Sequence, residues 1–231
     1  PEEIEIELAG GWPTPKSYRP SPPQPRGPLD ADLILRRVAE LAAECDDLLV
    51  ALGGFGEPTA HPEFARIVTG LREAGVWGIC VTTTGLVERR RIETLIGLPI
   101  DVVTVAVDVP DAEKYERVFG RRGYEEVLAN LEFMLDQRNK NRQALPLVIP
   151  EMIKTRETMD LMEGFYTTWV KRIGWAVIRG YSDYAGRWPD LAVSTMAPPR
   201  RRPCRRRFTK LMVLADGSIA RCDQDFHPQA A

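Results

Sequence analysis

Leu48-Leu49-Val50-Ala51-Leu52-Gly53-Gly54-Phe55-Gly56-Glu57-Pro58-Thr59-Ala60-His61-Pro62 decides how the chain is read. A short apolar run stops at a glycine-rich turn that carries one carboxylate, and an amphipathic segment follows. The pattern predicts a buried parallel strand, with Glu57 on the loop at its carboxyl end, where α/β folds place their ligand sites. Gly53, Gly54 and Gly56 permit positive φ and a close approach of a ligand to the backbone. Pro58 stiffens the turn. An ordinary strand-to-helix connection has the same local features.

Outward from this stretch, apolar strands alternate with amphipathic helices. Ile4–Leu8 alternates charged and apolar residues, as an edge strand does. Residues 13–28 hold seven prolines and read as an extended loop. Asp30 is placed to cap a helix running to about Cys45. Strands are expected at 48–53, 77–83, 101–108, 146–154 and 175–179. The expected helices cover 62–74, 88–95, 124–138 and 157–172. Six βα units imply a parallel sheet with right-handed crossovers, either an open partial barrel or a doubly wound sheet. Residues 183–202 read as a polar linker. Beyond it, Lys210–Leu214 and Ser218–Cys222 flank Asp216-Gly217, a hairpin signal. The expected division is therefore an α/β unit over 1–182 and a linker with hairpin over 183–231.

Composition limits the functional classes. An apolar fraction of 44% supplies a core, and a net charge of −2 gives no signature for nucleic acid or membrane. Four cysteines are too few for a disulfide scaffold, which points to a reducing, cytoplasmic setting. Pro1 at the start, in place of Met, suggests a fragment or processed chain.

The stretch Gly53–Pro58 resembles the Gly-Gly-Glu-Pro motif of radical S-adenosylmethionine (SAM) enzymes. Thr82-Thr83-Thr84-Gly85 resembles the family's Thr-Thr-Asn-Gly strand end, and Val105–Asp108 its Val-Ser-Leu-Asp strand. Tyr115–Gly120 is similar to its Tyr-x-x-x-x-Gly segment. The resemblance covers about residues 3–180 and is nearest to the radical SAM/SPASM group, spiro-SPASM-like members in particular. It implies a (βα)6 partial barrel. It also implies a cofactor site in which Gly53, Gly54, Glu57 and Pro58 meet the methionine amine, with Thr82, Thr84 and Asp108 at neighbouring strand ends. Ala106 stands where the family often has serine.

The chain departs from the family at one decisive place. There the first strand runs into Cys-x3-Cys-x2-Cys, whose thiolates hold a [4Fe–4S] cluster because soft anionic ligands tolerate its redox changes. Here no residue between Ala9 and Pro28 is Cys, His, Asp or Glu. Cys204 and Cys222 bracket the hairpin and resemble the first cysteines of a SPASM domain, which ligate an auxiliary cluster. Two thiolates do not complete such a site, so a cluster there needs ligands outside this chain. The expectation is a degenerate radical SAM/SPASM-like protein without radical chemistry, binding S-adenosylmethionine weakly. The alternative is a non-catalytic module that engages a peptide or partner enzyme through the barrel, the proline-rich loop and the arginines at 200–202 and 205–207. Cys45, Cys80, Trp169, Trp175 and Trp188 read as packing residues, and His61 as a group that orients the turn.

Overall fold

The computed structural model describes residues 2–12, 18–20, 26–194 and 204–226. Strands β1 (Glu3–Ile6), β2 (Leu49–Leu52), β3 (Gly78–Thr83), β4 (Val102–Ala106), β5 (Leu147–Lys154) and β6 (Val177–Gly180) lie side by side in chain order. Every pair among them is parallel. This is the open (βα)6 partial barrel that the resemblance implies; the doubly wound order, which the alternation also allowed, is not the one formed. The connecting helices are α1 (Ala31–Ala42), α2 (Phe64–Glu73), α3 (Arg89–Gly97), α4 (Ala112–Phe119), α5 (Tyr124–Lys140) and α6 (Met162–Ile173).

Local chemistry accounts for most boundaries. The Asp30 carboxylate accepts from Leu33 N at 2.8 Å and starts α1 as predicted. The α1 stripe Ile34 and Val38 is buried, as are Ile67, Val68 and Leu71 of α2. On the helix-covered face of the sheet, the alternate residues Ile4, Ile6, Val50, Leu52, Ile79, Val81, Val103 and Val105 share one core with these helices, while Glu3, Glu5, Thr82 and Thr104 fall at the intervening positions.

Three expectations needed correction. The segment Tyr115–Gly120 belongs to a helix of its own, α4, which Asp111 caps through Lys114 N and Gly120 ends at φ 65°. Its eight residues are too short for a clear periodic signal. The helix expected over 157–172 is a 3₁₀ turn, Met159–Leu161, followed by α6. Finally, β1 is not an edge strand. A short helix α7 (Arg206–Thr209) leads into β7 (Lys210–Val213), which pairs parallel to β1 on the side away from β2. β8 (Ile219–Ala220) completes the antiparallel hairpin. The charges that suggested an edge are answered by this strand: Lys210 Nζ lies 2.9 Å from Glu3 and 2.7 Å from Glu5. Glu7, fully buried, takes two bonds from Arg26 and one from Ala215 N. The hairpin thus continues the main sheet.

Candidate functional site at the strand ends

The β2 loop is held from below. One Glu57 oxygen accepts from Thr59 Oγ1 at 2.8 Å. The other accepts from Thr83 Oγ1, Thr84 N and Thr84 Oγ1 at 3.0–3.1 Å. The carboxylate is 1% exposed. It therefore ties the glycine loop to the end of β3, and Asn130 ties the next turn to α5 through Gly85 O and Val87 O.

What the glycines admit is first of all the chain itself. A Cβ on Gly56 would stand 1.7 Å from Ala9 O, because residues 9–11 cross directly over the loop. Glu57 N donates to Gly11 O and Gly11 N to Phe55 O across that crossing. Gly54 has φ +70°, and a Cβ there would stand 2.6 Å from Met212 Cε of β7. His61 orients the turn as expected. Its Nδ1 accepts from Glu63 N, so Nε2 carries the proton donated to Leu29 O at 2.8 Å.

Above the loop lies a cavity of about 450 Å³, bounded by Gly54, Thr82, Tyr18, Arg19, Arg179 and Tyr184 among others. Phe55 and Tyr184 form one wall, and Phe226 packs on both, with ring centroids 5.9–6.2 Å apart. Of the seven predicted cofactor residues, Gly54 and Thr82 face the cavity. Gly53 backs onto Thr82, and Glu57, Pro58 and Thr84 form the buried layer beneath. Asp108 is fully buried with φ 64°, a left-handed conformation that a short polar side chain tolerates. Its carboxylate accepts from Ile153 N at 3.0 Å and meets the Tyr18 phenol. Burial, reinforced by the Asp108 charge, pushes the Tyr18 phenol well above its usual range.

Sequence reasoning missed Tyr18, Arg19, Glu151, Arg179 and Tyr184. Glu151 sits in β5, 1% exposed, with one oxygen 3.0 Å from Arg179 Nη1 and the other without a hydrogen-bond donor. A carboxylate in the middle of a strand, Leu147–Lys154, that is otherwise apolar up to its terminal lysine was the available signal. For Tyr18 and Arg19 it was the only aromatic–cation pair inside a proline-rich loop.

Cys204 is exposed and Cys222 half-buried. Among the described residues, no group of three or more His, Cys, Asp or Glu side chains is placed to hold a metal ion. Cys45 packs against the core, Trp169 lies within it, and Trp175 donates to Val148 O. No described helix is long and apolar enough to cross a membrane. Residues 13–17 and 21–25 of the proline-rich loop and residues 200–203 of the arginine run lie outside the described residues; Arg205 and Arg206 are exposed.

A family model described as the radical SAM superfamily matches residues 15–162. An uncharacterized protein of Treponema pallidum is 23% identical over 98% of this chain and 67% of its own length. A GTP 3',8-cyclase of Chlorobaculum tepidum is 30% identical, over 35% of this chain and 24% of its own. Among solved structures, Streptococcus suis SuiB bound to precursor peptide SuiA superposes with TM-score 0.75 at 13% identity. That match covers 97% of this chain and 60% of SuiB, so the chain spans less than two thirds of it. SuiB bound to S-adenosylmethionine gives TM-score 0.73 at 15% identity. At these identities the likeness concerns the fold.

Proposed function

The chain belongs to the radical SAM superfamily, and from that premise we propose that it uses the scaffold to bind a ligand at the strand ends without generating a radical. One observation carries this: the Ala9–Pro28 loop, where the family holds its cluster, contains no thiolate, imidazole or carboxylate. A [4Fe–4S] cluster needs soft anionic donors, and the donor set here does not fit it.

The remaining machinery suits a small ligand with an amino-acid end, S-adenosylmethionine among them. Gly54 and Thr82 line the cavity and would touch it. Glu57, with Gly53, Pro58 and Thr84, fixes the loop that presents them. Asp108 holds Tyr18 against the cavity wall. The buried layer is preorganised, since its hydrogen bonds exist within the chain.

Anaerobic reconstitution with iron, sulfide and S-adenosylmethionine tests the reading. The expected result is no reductively formed 5′-deoxyadenosine and no cluster absorbance assigned to this loop. Formation of 5′-deoxyadenosine would overturn it.

A second reading is favoured by a specific observation. The superposition on SuiB was obtained for a complex with a precursor peptide, so a peptide or partner enzyme is the alternative occupant of the open strand-end face. Pull-down with the same reconstituted protein separates the two, because peptide binding requires no S-adenosylmethionine.

A further inference from the structure

We infer that Arg19 and Trp12 form a seat for the carboxylate of a ligand entering the strand-end cavity. This rests on the ligand-binding reading above and adds the charge and chemical class of what is bound. The Arg19 guanidinium carbon lies 4.3 Å from the centroid of the Trp12 ring. The cation sits over the indole ring, an attraction that holds the two side chains together without using an N–H hydrogen bond. Arg19 Nη1 is buried and has no acceptor. The indole Nε1 of Trp12 is buried and lacks an acceptor as well. Two donors on adjoining groups thus stand without acceptors beside a cavity that Arg19 itself lines.

The charge pairing of the wall points the same way. Glu5 is answered by Lys210 and by Gly54 N, Asp223 by Arg206, and Glu151 by Arg179. Arg19 bonds the Tyr184 hydroxyl, but among the described residues no carboxylate pairs with it. Lys210 is shared with Glu3, so the wall carries no net surplus of charge; Arg19 is the cation on it that lacks a carboxylate partner, and an anion would supply one. A guanidinium N–H and an indole N–H side by side match the two oxygens of one carboxylate.

The position on the loop gives the seat its meaning. Trp12 and Arg19 are seven residues apart, the separation of the first and third cysteines in Cys-x3-Cys-x2-Cys. An indole and a cation stand at the spacing where the family has thiolates. A ligand carboxylate that a cluster iron would take elsewhere is taken here by a guanidinium.

Two-dimensional ¹H–¹⁵N spectra of the five indole N–H groups test this, with the Trp12 signal assigned by Trp12→Phe. Acetate and L-methionine are titrated at constant ionic strength, with L-methioninamide and inorganic phosphate as controls. The expected result is a saturable shift of the Trp12 signal with both carboxylates, weakened at least tenfold in Arg19→Gln. Arg19→Lys is expected to recover part of it, and the amide to be at least tenfold weaker than methionine. Unchanged positions of the other four indole signals show that the variants fold. No shift in the wild type, an equal shift in Arg19→Gln, or phosphate binding more tightly than acetate would overturn the assignment. None of these outcomes depends on whether 5′-deoxyadenosine forms.

Discussion

Thr84 gives both its backbone N–H and its hydroxyl to a single oxygen of Glu57, at 3.0 and 3.1 Å. The ends of β2 and β3 are thereby locked to one another beneath the cavity. With Thr59 and Thr83 completing the set, the carboxylate organises the most distinctive loop of the chain.

Glu57→Ala should therefore destabilise the fold, by about 2–4 kcal/mol, since several buried donors lose their acceptor at once. Glu57→Gln keeps the shape and one acceptor and should cost less. Urea unfolding of the three proteins checks the order. A change below about 0.5 kcal/mol for Glu57→Ala would remove the structural role.

Binding can be separated from stability in the same variant. Calorimetry with S-adenosylmethionine should give affinity no tighter than about 1 mM in the wild type, where one charge-assisted contact replaces coordinate bonds to a cluster. Glu57→Gln is expected to bind measurably more weakly. Equal affinity in both proteins would show that the loop held by Glu57 does not present the ligand's contacts.

Gly56→Ala should prevent the native crossing of residues 9–11 over the loop. Its Cβ would meet the Ala9 carbonyl oxygen at 1.7 Å, and backbone offers little room to give. The expected outcome is insoluble or protease-sensitive protein, whereas Gly97→Ala, where a Cβ meets nothing within 4 Å, should remain soluble. Limited proteolysis distinguishes them.

Arg179→Leu should leave the buried Glu151 carboxylate without its ion-pair partner among the described residues, costing about 1–3 kcal/mol. The double variant Arg179→Leu/Glu151→Leu should recover most of that loss, because a buried pair replaced by apolar groups is close to neutral. Additive losses in chemical denaturation would contradict the pairing.

Stability should fall at alkaline pH. Burial, with nearby carboxylates, raises Tyr18, Tyr115 and Tyr184 above their ordinary 10.0, and Tyr124 and Tyr181 to about 12. Burial alone would lower Lys210, but Glu5 and Glu3 outweigh it and the net shift is upward from 10.5. In every case the folded state keeps its proton longer than the unfolded chain. The contribution is thus complete below about pH 10 and is lost as pH climbs toward the folded values. The denaturation midpoint should drop from about pH 10 upward, and Lys210→Met should lose the Lys210 share of that slope.

Sequence alone determined the parallel alternation, the α1 cap at Asp30, the Asp-Gly hairpin and the position of the glycine loop at a strand end. Each of these is written locally, in hydrophobic period, capping residues and turn chemistry. It also determined that the cluster loop lacks thiolates, since a missing residue type needs no coordinates to be seen. Only the tertiary structure decided that β7 lies beside β1, because that contact joins residues some two hundred positions apart through Lys210 and two glutamates. It decided as well that Gly56 admits Ala9, that Glu57 points inward to threonines, and that Arg19, which lines a cavity, meets Trp12. Those relationships depend on which distant side chains share a volume from which water is excluded, and no local pattern carries that.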